Sequence, residues 1–503
     1  MPLPDPDRQG TDFQVFVTAN TAYAAFERAV LDARRSVIGG FRIFDMSTAL
    51  VSDEARAIGE TWFDLLLHVL KGGVHIDLTL SDFDPTFATE LHRQTWRTMR
   101  QAAGLAEMAG VGPDQLSVRA SLHPATPGAL PKLAFLPRTR REAARRRAKL
   151  SDAELEQEAP GLADPGPPEL HTVTHHHKLA VIDDAVLYIG GLDLNPRRYD
   201  TPQHDRPAEE TWSDVQVMIR DDPAVAEARR HLETFRDVVA GRRSAPQLSR
   251  IRRTLSADRW LKLPFLSPRT VVNELEDAHL TAFKRAGHML YIETQFLRSK
   301  RIAEALADAG SANPDLTLLL VLPALPEQAA FADSDDDVGL DTRYGLALER
   351  QALDTVREAF GKRATIATPV QPIMAPRDSR ATRAGSPIIY VHNKILVQDR
   401  DYALVGSANL NGRSLRWDTE AGLALTDPDR VELLRQTLHR HWWREDLPKA
   451  WQDPARMQPF WRAEIARNDG RRPENRRGFL VSHDVAHHAD LEQPLPLVTD
   501  NVV

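Results

Sequence analysis

Two stretches of this 503-residue chain decide its fold: His175–Leu194, HHHKLAVIDDAVLYIGGLDL, and Val391–Leu410, VHNKILVQDRDYALVGSANL. Each reads as two short strands joined by an acidic turn and followed by a loop of small residues. Working outward, the same order of elements surrounds both. Upstream of the first, Val37–Met46 (VIGGFRIFDM) reads as a buried strand. A helical stretch near Asp53–Leu70 follows, then the alternating strand Val74–Leu80. Upstream of the second, a strand at His288–Phe296, a helix near Arg301–Ala309 and a strand at Leu316–Leu322 repeat that order. Downstream, each stretch has a further strand, Val215–Ile219 or Leu423–Leu425, and then a helix opening on Asp-Pro, at 222–223 or 427–428. Proline suits a first helical turn because its missing N–H would be unpaired there. A repeat this long implies two homologous α/β halves, about 12–245 and 265–450, with alternating strands and helices.

Three segments fall outside the repeat. Lys132–Lys149 is strongly basic and opens an insertion of about 132–168, in which Ser151 and Glu154 fit a helix capping box. Its arginines read as a solvated helix face, with docking to an anionic membrane surface or polyanion as the alternative. Ala330–Asp341 is an acidic loop in the second half. From 451 to 503 a polar, arginine-rich extension reads as surface-packed.

Composition mainly subtracts. The chain has no cysteine, which removes disulfides, thiolate metal sites and cysteine nucleophiles. Its net charge is −7, from 64 Lys+Arg against 71 Asp+Glu, so no chain-wide cationic field for nucleic acid is present. No apolar run approaches the roughly 20 residues of a membrane span, and MPLPDPDRQG lacks a signal pattern. The expectation is a cytoplasmic or peripherally membrane-associated monomer. Export without a signal peptide, as an effector, stays open.

The chemistry lies in H-x-K-x4-D, which occurs twice, as His176, Lys178, Asp183 and as His392, Lys394, Asp399. Residues i and i+2 of a strand share a face, so each His and Lys point into one space. Small pairs follow, Gly190-Gly191 and Gly406-Ser407, then the polar residues Asp193 and Asn409. Two imidazoles, two ammonium groups and backbone N–H donors at Gly191 and Ser407 suit a phosphate. One neutral His can attack phosphorus while the other, protonated, donates to the leaving alkoxide. The lysines stabilise phosphoryl oxygens, and the scheme calls for no metal or cofactor. Each His needs an orienting carboxylate. Asp214 and Glu420 occupy matching strand starts and are expected behind His176 and His392 respectively. Asp183 and Asp399 read as structural turn residues. The run His175–His177 could also be a metal tract, but alternate residues on a strand face opposite ways and Lys178 would repel a cation.

These residues resemble the phospholipase D superfamily, and within it the twin-motif phosphatidylcholine-type phospholipases. The resemblance rests on Gly190–His204, on TWSDV (Thr211–Val215), on LYIETQF (Leu290–Phe296) and on Tyr390–Ser414, and covers about residues 15–450. GFLVSHDVAHHADL, beginning at Gly478, is similar to the family's C-terminal segment. The resemblance implies two α/β halves, mixed sheets flanked by helices, about a pseudo-twofold axis with one site at their interface. It implies phosphodiester hydrolysis, or transfer to an alcohol, through a phosphohistidine. Carried over, the site comprises His176, Lys178, His392, Lys394 and Asn409, with Asp214 and Glu420 behind the histidines. His176 is then the nucleophile and His392 the acid. Asp193 stands where the superfamily usually has Asn; the phospholipase branch shares this Asp, which favours phospholipid over nucleic acid, although a carboxylate would repel phosphate.

The leading expectation is hydrolysis of glycerophospholipids at a membrane surface to phosphatidic acid, with transphosphatidylation. A metal-independent nuclease is the alternative, and the net charge argues against it. A head-group transferase or phospholipid synthase is disfavoured because such enzymes usually carry membrane helices. A non-catalytic scaffold conflicts with two intact motifs.

Overall fold

The computed structural model describes residues 12–164, 166, 169–265, 268–484, 489–496 and 498–502. Met1–Gly10, parts of the proline-rich break before His171 and His487-His488 lie outside them. The first half builds a seven-stranded sheet from β1 (Phe13–Val17), β2 (Ser36–Phe41), β3 (His75–Ser81), β4 (Leu116–Ser121), β5 (Leu179–Ile182), β6 (Val186–Gly190) and β7 (Val215–Arg220). Their order is β1-β7-β6-β5-β2-β3-β4. The second half builds a nine-stranded sheet from β8 (Ile251–Ala257), β9 (Arg269–Asn273), β10 (Met289–Thr294), β11 (Thr317–Val321) and β12 (Ala364–Pro369). A small hairpin, β13 (Thr382–Arg383) and β14 (Ser386–Pro387), interrupts it. It continues with β15 (Lys394–Gln398), β16 (Tyr402–Gly406), β17 (Glu420–Leu425) and β18 (Leu480–Ser482). Read from its far edge the order is β9-β8-β17-β16-β15-β10-β11-β12-β18, so seven strands repeat the first sheet and one extra strand closes each edge. Both sheets are mixed: β2, β3 and β4 run parallel, as do β10, β11 and β12, and the motif strands join them antiparallel.

The packing explains why both motif strands read as nearly continuous hydrophobic runs. Each sheet is covered on both faces, and such strands have no polar side to show. One face of each sheet packs on the other. Val181, Leu187, Ile189 and Val217 of the first half share a single cluster with Val397, Val405, Leu423 and Leu425 of the second. The outer faces bury separate clusters under helices, around Phe26, Trp62 and Leu66 in the first half and around Leu306, Leu353 and Phe360 in the second. The two Asp-Pro helices are Pro223–Val239 and Pro428–Trp443, with Asp222 and Asp427 accepting the N–H two residues on. Arg430 of the second pairs with Asp222 of the first at 2.8 Å, a tie across the halves. No helix among the described residues is long and apolar enough to cross a membrane.

Several elements differ from the sequence reading. The strand expected through Met46 ends at Phe41, and the chain leaves the sheet at Arg42. The helical stretch expected over Asp53–Leu70 is two helices, Asp53–Arg56 and Trp62–Lys71. Gly59 lies at the break, where a Cβ would stand 2.3 Å from the Asp64 side chain that caps the second helix. Strand β8 falls between the two halves as bounded from the sequence, yet it pairs with β17 in the second sheet. The C-terminal extension is not merely surface-packed. Its helix Met457–Gly470 buries Trp461 and Ile465 in the central cluster, and β18 pairs with β12. The arginines on its outer face hid that amphipathic pattern.

Asp183 and Asp399 occupy the hairpin turns after β5 and β15, both in the left-handed region with φ of 53° and 50°. Aspartate tolerates that region better than most residues. The Asp183 carboxylate accepts the N–H groups of Arg34, Arg35 and Ser36 at 2.7, 2.7 and 2.8 Å. Asp399 does the same for Gly287, His288 and Met289 at 2.7, 2.9 and 2.8 Å. Each aspartate thus ties the motif hairpin to the start of its neighbour strand, β2 or β10. Burial opposes ionisation of Asp183, but the backbone donors outweigh it and hold the carboxyl below its usual range. Its contribution is therefore present above the ordinary aspartate pKa and is lost as pH falls. Asp183→Ala and Asp399→Ala should each cost about 1–3 kcal/mol. Urea unfolding measures this, and the Asp183 difference should shrink below about pH 4.

Candidate functional site

Each motif histidine sits just ahead of its strand, in a segment that leaves its own sheet and bridges to the other. His175 pairs with Thr419 in a short parallel bridge, and the His176 N–H donates to the Thr419 carbonyl at 2.7 Å. In mirror fashion Val391 pairs with Ser213, and the His392 N–H donates to the Ser213 carbonyl at 2.8 Å. Thr419 and Ser213 immediately precede Glu420 and Asp214. The two bridges therefore bring each histidine onto the carboxylate of the opposite half. His176 Nδ1 lies 3.0 Å from Glu420 Oε2, and His392 Nδ1 lies 2.5 Å from Asp214 Oδ2. This corrects the expected pairing of Asp214 with His176 and Glu420 with His392. Matching positions in the repeat are right, but the halves exchange partners, which a strand-by-strand reading of one half does not reveal. With Nδ1 engaged, each ring is left to use Nε2.

His175 and His177 turn to the other side, as alternation requires. Both rings lie edge-on to Phe235, at 5.2 and 4.6 Å between centroids, and His177 Nδ1 meets His231 Nε2 at 3.0 Å. Lys178 and Lys394 share the face of His176 and His392. Each ammonium donates to the carbonyl of its own motif histidine.

The small residues serve another purpose than the one expected. The N–H groups of Gly191 and Ser407 donate to Val215 O at 3.1 Å and Ala421 O at 3.0 Å, so they are spent within the sheets and do not face a phosphate. What they provide is room. A Cβ at Gly191 would stand 2.1 Å from Asp214 Oδ1. Ser407, in the same place in the second half, donates its hydroxyl to Glu420 instead. Its side chain thus holds a carboxylate and is not free for substrate.

Asn409 donates through Nδ2 to Gln295 Oε1 at 3.1 Å, and its Oδ1 is buried with no partner among the described residues. Gln295 also approaches Lys394 Nζ at 3.4 Å. Asp193 occupies the matching position in the first half. It accepts the Ile43 N–H at 3.0 Å and lies 3.9 Å from Lys178 Nζ. The first-half counterpart of Gln295 is Arg42, since β2 and β10 hold the same register against the motif strands. Arg42 is within electrostatic reach of Asp193, His176 and Lys178. A neutral Gln–Asn pair in one half is thus an Arg–Asp pair in the other, which explains how a carboxylate is accommodated at 193. Sequence reasoning missed Arg42 and Gln295; aligning FRIF with TQFL across the repeat would have found them. It also missed Trp212, whose ring lies 4.5 Å from that of His392 and carries the Arg198 guanidinium 3.7 Å above its centroid.

Burial dominates the electrostatics. It pushes Asp214 up to about 7 and Glu420 up to about 8, against the pull of Lys394 and Lys178. It presses Lys394 down to about 7 and lowers Lys178 as well. Burial and the neighbouring cations hold both imidazoles well below the usual histidine range. Burial therefore favours the neutral form of each of these groups, and an anion held among them would favour protonation of the bases.

Residues 279–442 match the family described as "Cardiolipin synthase, PLD-like domain". Phospholipase D1 of Schizosaccharomyces pombe is 25% identical over 351 residues, 52% of this chain and 25% of that protein. Residues 279–442 thus form a domain of the phospholipase D superfamily. Within the superfamily, Phospholipase D alpha 3 of Arabidopsis thaliana is 23% identical over 374 residues, 51% of this chain and 45% of that protein. The chain thus spans less than half the length of the curated relatives it matches. A phosphatidylserine synthase from Haemophilus influenzae Rd KW20 shares the fold, with a TM-score of 0.50 and 13% identity over 92% of this chain and 94% of that one.

Inorganic phosphate should bind between the two motifs and take up protons as it does so. An anion there favours the charged lysines and imidazoles and disfavours ionised Asp214 and Glu420, so every pKa rises on binding. Affinity should weaken as pH rises past about 7 to 8, where Lys394 and Glu420 titrate. Calorimetry in buffers of different ionisation heat reads the proton count, and release of protons would contradict this electrostatic picture.

Proposed function

We propose that this protein is a phospholipase D-type phosphodiesterase that converts glycerophospholipids to phosphatidic acid through a phosphohistidine. The observation that carries the reading is the pair of crossed histidine–carboxylate contacts with Lys178 and Lys394 beside them. In this reading His176 Nε2, neutral in the buried site, attacks phosphorus. Binding of the anionic phosphodiester raises the pKa of His392 and brings it to its protonated form; as the bond to the head-group oxygen breaks, that oxygen takes the proton of His392 Nε2. His392, now neutral, accepts a proton from water, which attacks the phosphorus and releases phosphatidic acid from His176. Asp214 and Glu420 hold the rings in the required tautomer and stabilise the imidazolium that forms at each step. Lys178, Lys394 and Asn409 meet the non-bridging oxygens, where negative charge grows in the transition state. Gly191 and Ser407 support the carboxylates behind this layer.

An alcohol can replace water in the second step with no change of residues. The family model over 279–442 is described by a synthase, which supports testing transfer together with hydrolysis.

The test is product analysis on mixed phosphatidylcholine and phosphatidylethanolamine, with and without ethanol. Phosphatidic acid is expected without alcohol and phosphatidylethanol with it, unaffected by chelator. His392→Ala should lower turnover by about 10²–10⁴-fold. His176→Ala should lower it by at least about 10⁴-fold. A folded protein silent on every head group, or cleaving DNA in chelator through His176, would overturn the lipid assignment.

A further inference from the structure

Of the fifteen large hydrophobic side chains exposed among the described residues, seven lie in two short segments, 130–135 and 260–265. The segments are neighbours. The N–H of Gly128 donates to Phe265 O at 2.8 Å, and that of Leu130 to Leu263 O at 3.2 Å. Gly128 is required at this contact, since a Cβ there would stand 1.6 Å from Lys262 O. Trp260 is fully exposed, at 100%, with Leu261 and Leu263 beside it on the loop and Leu133 at 67% on the adjoining helix. Scattered apolar residues are ordinary on a soluble surface, but a contiguous patch of this kind marks an interaction site.

The helix that follows supplies the charge. Ala129–Arg147 begins in the patch and continues into the basic segment, with eight Lys and Arg against one Glu between 129 and 149. That Glu142 is already engaged by Arg145 and Arg146. Lys132, Arg138, Arg140 and Arg141 have no carboxylate within ion-pair distance among the described residues. On a chain of net charge −7, this is a strong local excess.

The patch is rooted beside the site. Lys262 Nζ donates to Thr126 Oγ1 at 3.1 Å, next to the buried Ala125. Ala125 packs with Val173 and Trp417, each three residues before a member of the His176–Glu420 pair.

We propose that loop 258–265 and helix Ala129–Arg147 form a docking surface for an anionic lipid bilayer. Trp260 and its leucines enter the interfacial layer, and the arginines meet lipid phosphates and carboxylates. An exposed Trp with aliphatic neighbours suits the boundary between head groups and chains. The flanking cations gain from the negative surface potential, by about fivefold in partitioning for each basic residue near it. The choice of a bilayer as partner rests on the phospholipid reading of the site, while the surface itself stands on exposure and charge.

The experiment is flotation of the full chain with phosphatidylcholine vesicles, with and without phosphatidylserine. It is run for the wild type, for Trp260→Ser with Leu261→Ser, and for Arg138→Glu with Arg140→Glu and Arg141→Glu. The wild type should bind the anionic vesicles, less so at high salt. Each variant should lose at least about tenfold in partitioning. Both variants should keep wild-type turnover on short-chain phosphatidylcholine dissolved as monomers. Variants that float like the wild type would overturn the proposal. So would a wild type that is retained by a DNA duplex but not by vesicles, or variants that lose turnover on the monomeric lipid. Vesicle binding without any lipid product would leave the docking surface standing and remove the phospholipase reading. Turnover on monomers without vesicle binding would do the reverse.

Discussion

Two buried histidine–carboxylate contacts, His176 with Glu420 and His392 with Asp214, cross between the halves, and most of the local architecture serves to make them. Each requires a chain segment to leave its own sheet and pair with the other, at Thr419 and Ser213. Each requires a small residue next to the carboxylate, Gly191 or Ser407. Each requires the motif hairpin to be held to the neighbouring strand, which Asp183 and Asp399 do through three backbone N–H groups apiece. A buried carboxyl without a partner is destabilising, and in each half the histidine that meets it comes from the other half. The exchange makes the interface between the sheets part of the site's chemistry as well as of its core.

The pseudo-symmetry is broken where the site meets its surroundings. Arg42 and Asp193 in the first half stand where Gln295 and Asn409 stand in the second. The net charge of the two pairs is the same, but the first half offers a guanidinium within electrostatic reach of His176 and the second a neutral amide network close to Lys394. A phosphodiester is itself asymmetric, with one oxygen that leaves and one that stays. A site built from two similar halves needs some such difference to bind it in one orientation. The Arg198–Trp212 stack beside His392 adds to the inequality.

Much of this was legible in the sequence, for a physical reason. The repeat preserves strand lengths, turn aspartates and the Asp-Pro helix starts, all of which are local. From these the two α/β halves and the histidine and lysine pairs could be read. What escaped was non-local. The exchange of Asp214 and Glu420 depends on bridges between residues more than 170 positions apart in the chain. The use of the Gly191 and Ser407 N–H groups depends on sheet pairing with β7 and β17, which motif spacing does not report. The C-terminal helix at Met457–Gly470 was obscured by its charged outer face, although Trp461 and Ile465 recur at helical spacing. The basic insertion was legible as charge, but its apolar partner, Trp260 and Leu261, lies far away in the sequence and is joined to it only by the fold.

The rest of the site depends on the crossed pairing, and imidazole NMR of histidine-labelled protein tests it most directly. A carboxylate-bound Nδ1–H gives a far-downfield proton resonance. Glu420→Gln should shift or abolish the resonance of His176 and leave that of His392, and Asp214→Asn should do the converse. If Asp214→Asn instead perturbs His176 while Glu420→Gln perturbs His392, each half keeps its own carboxylate and the exchange between the halves does not occur.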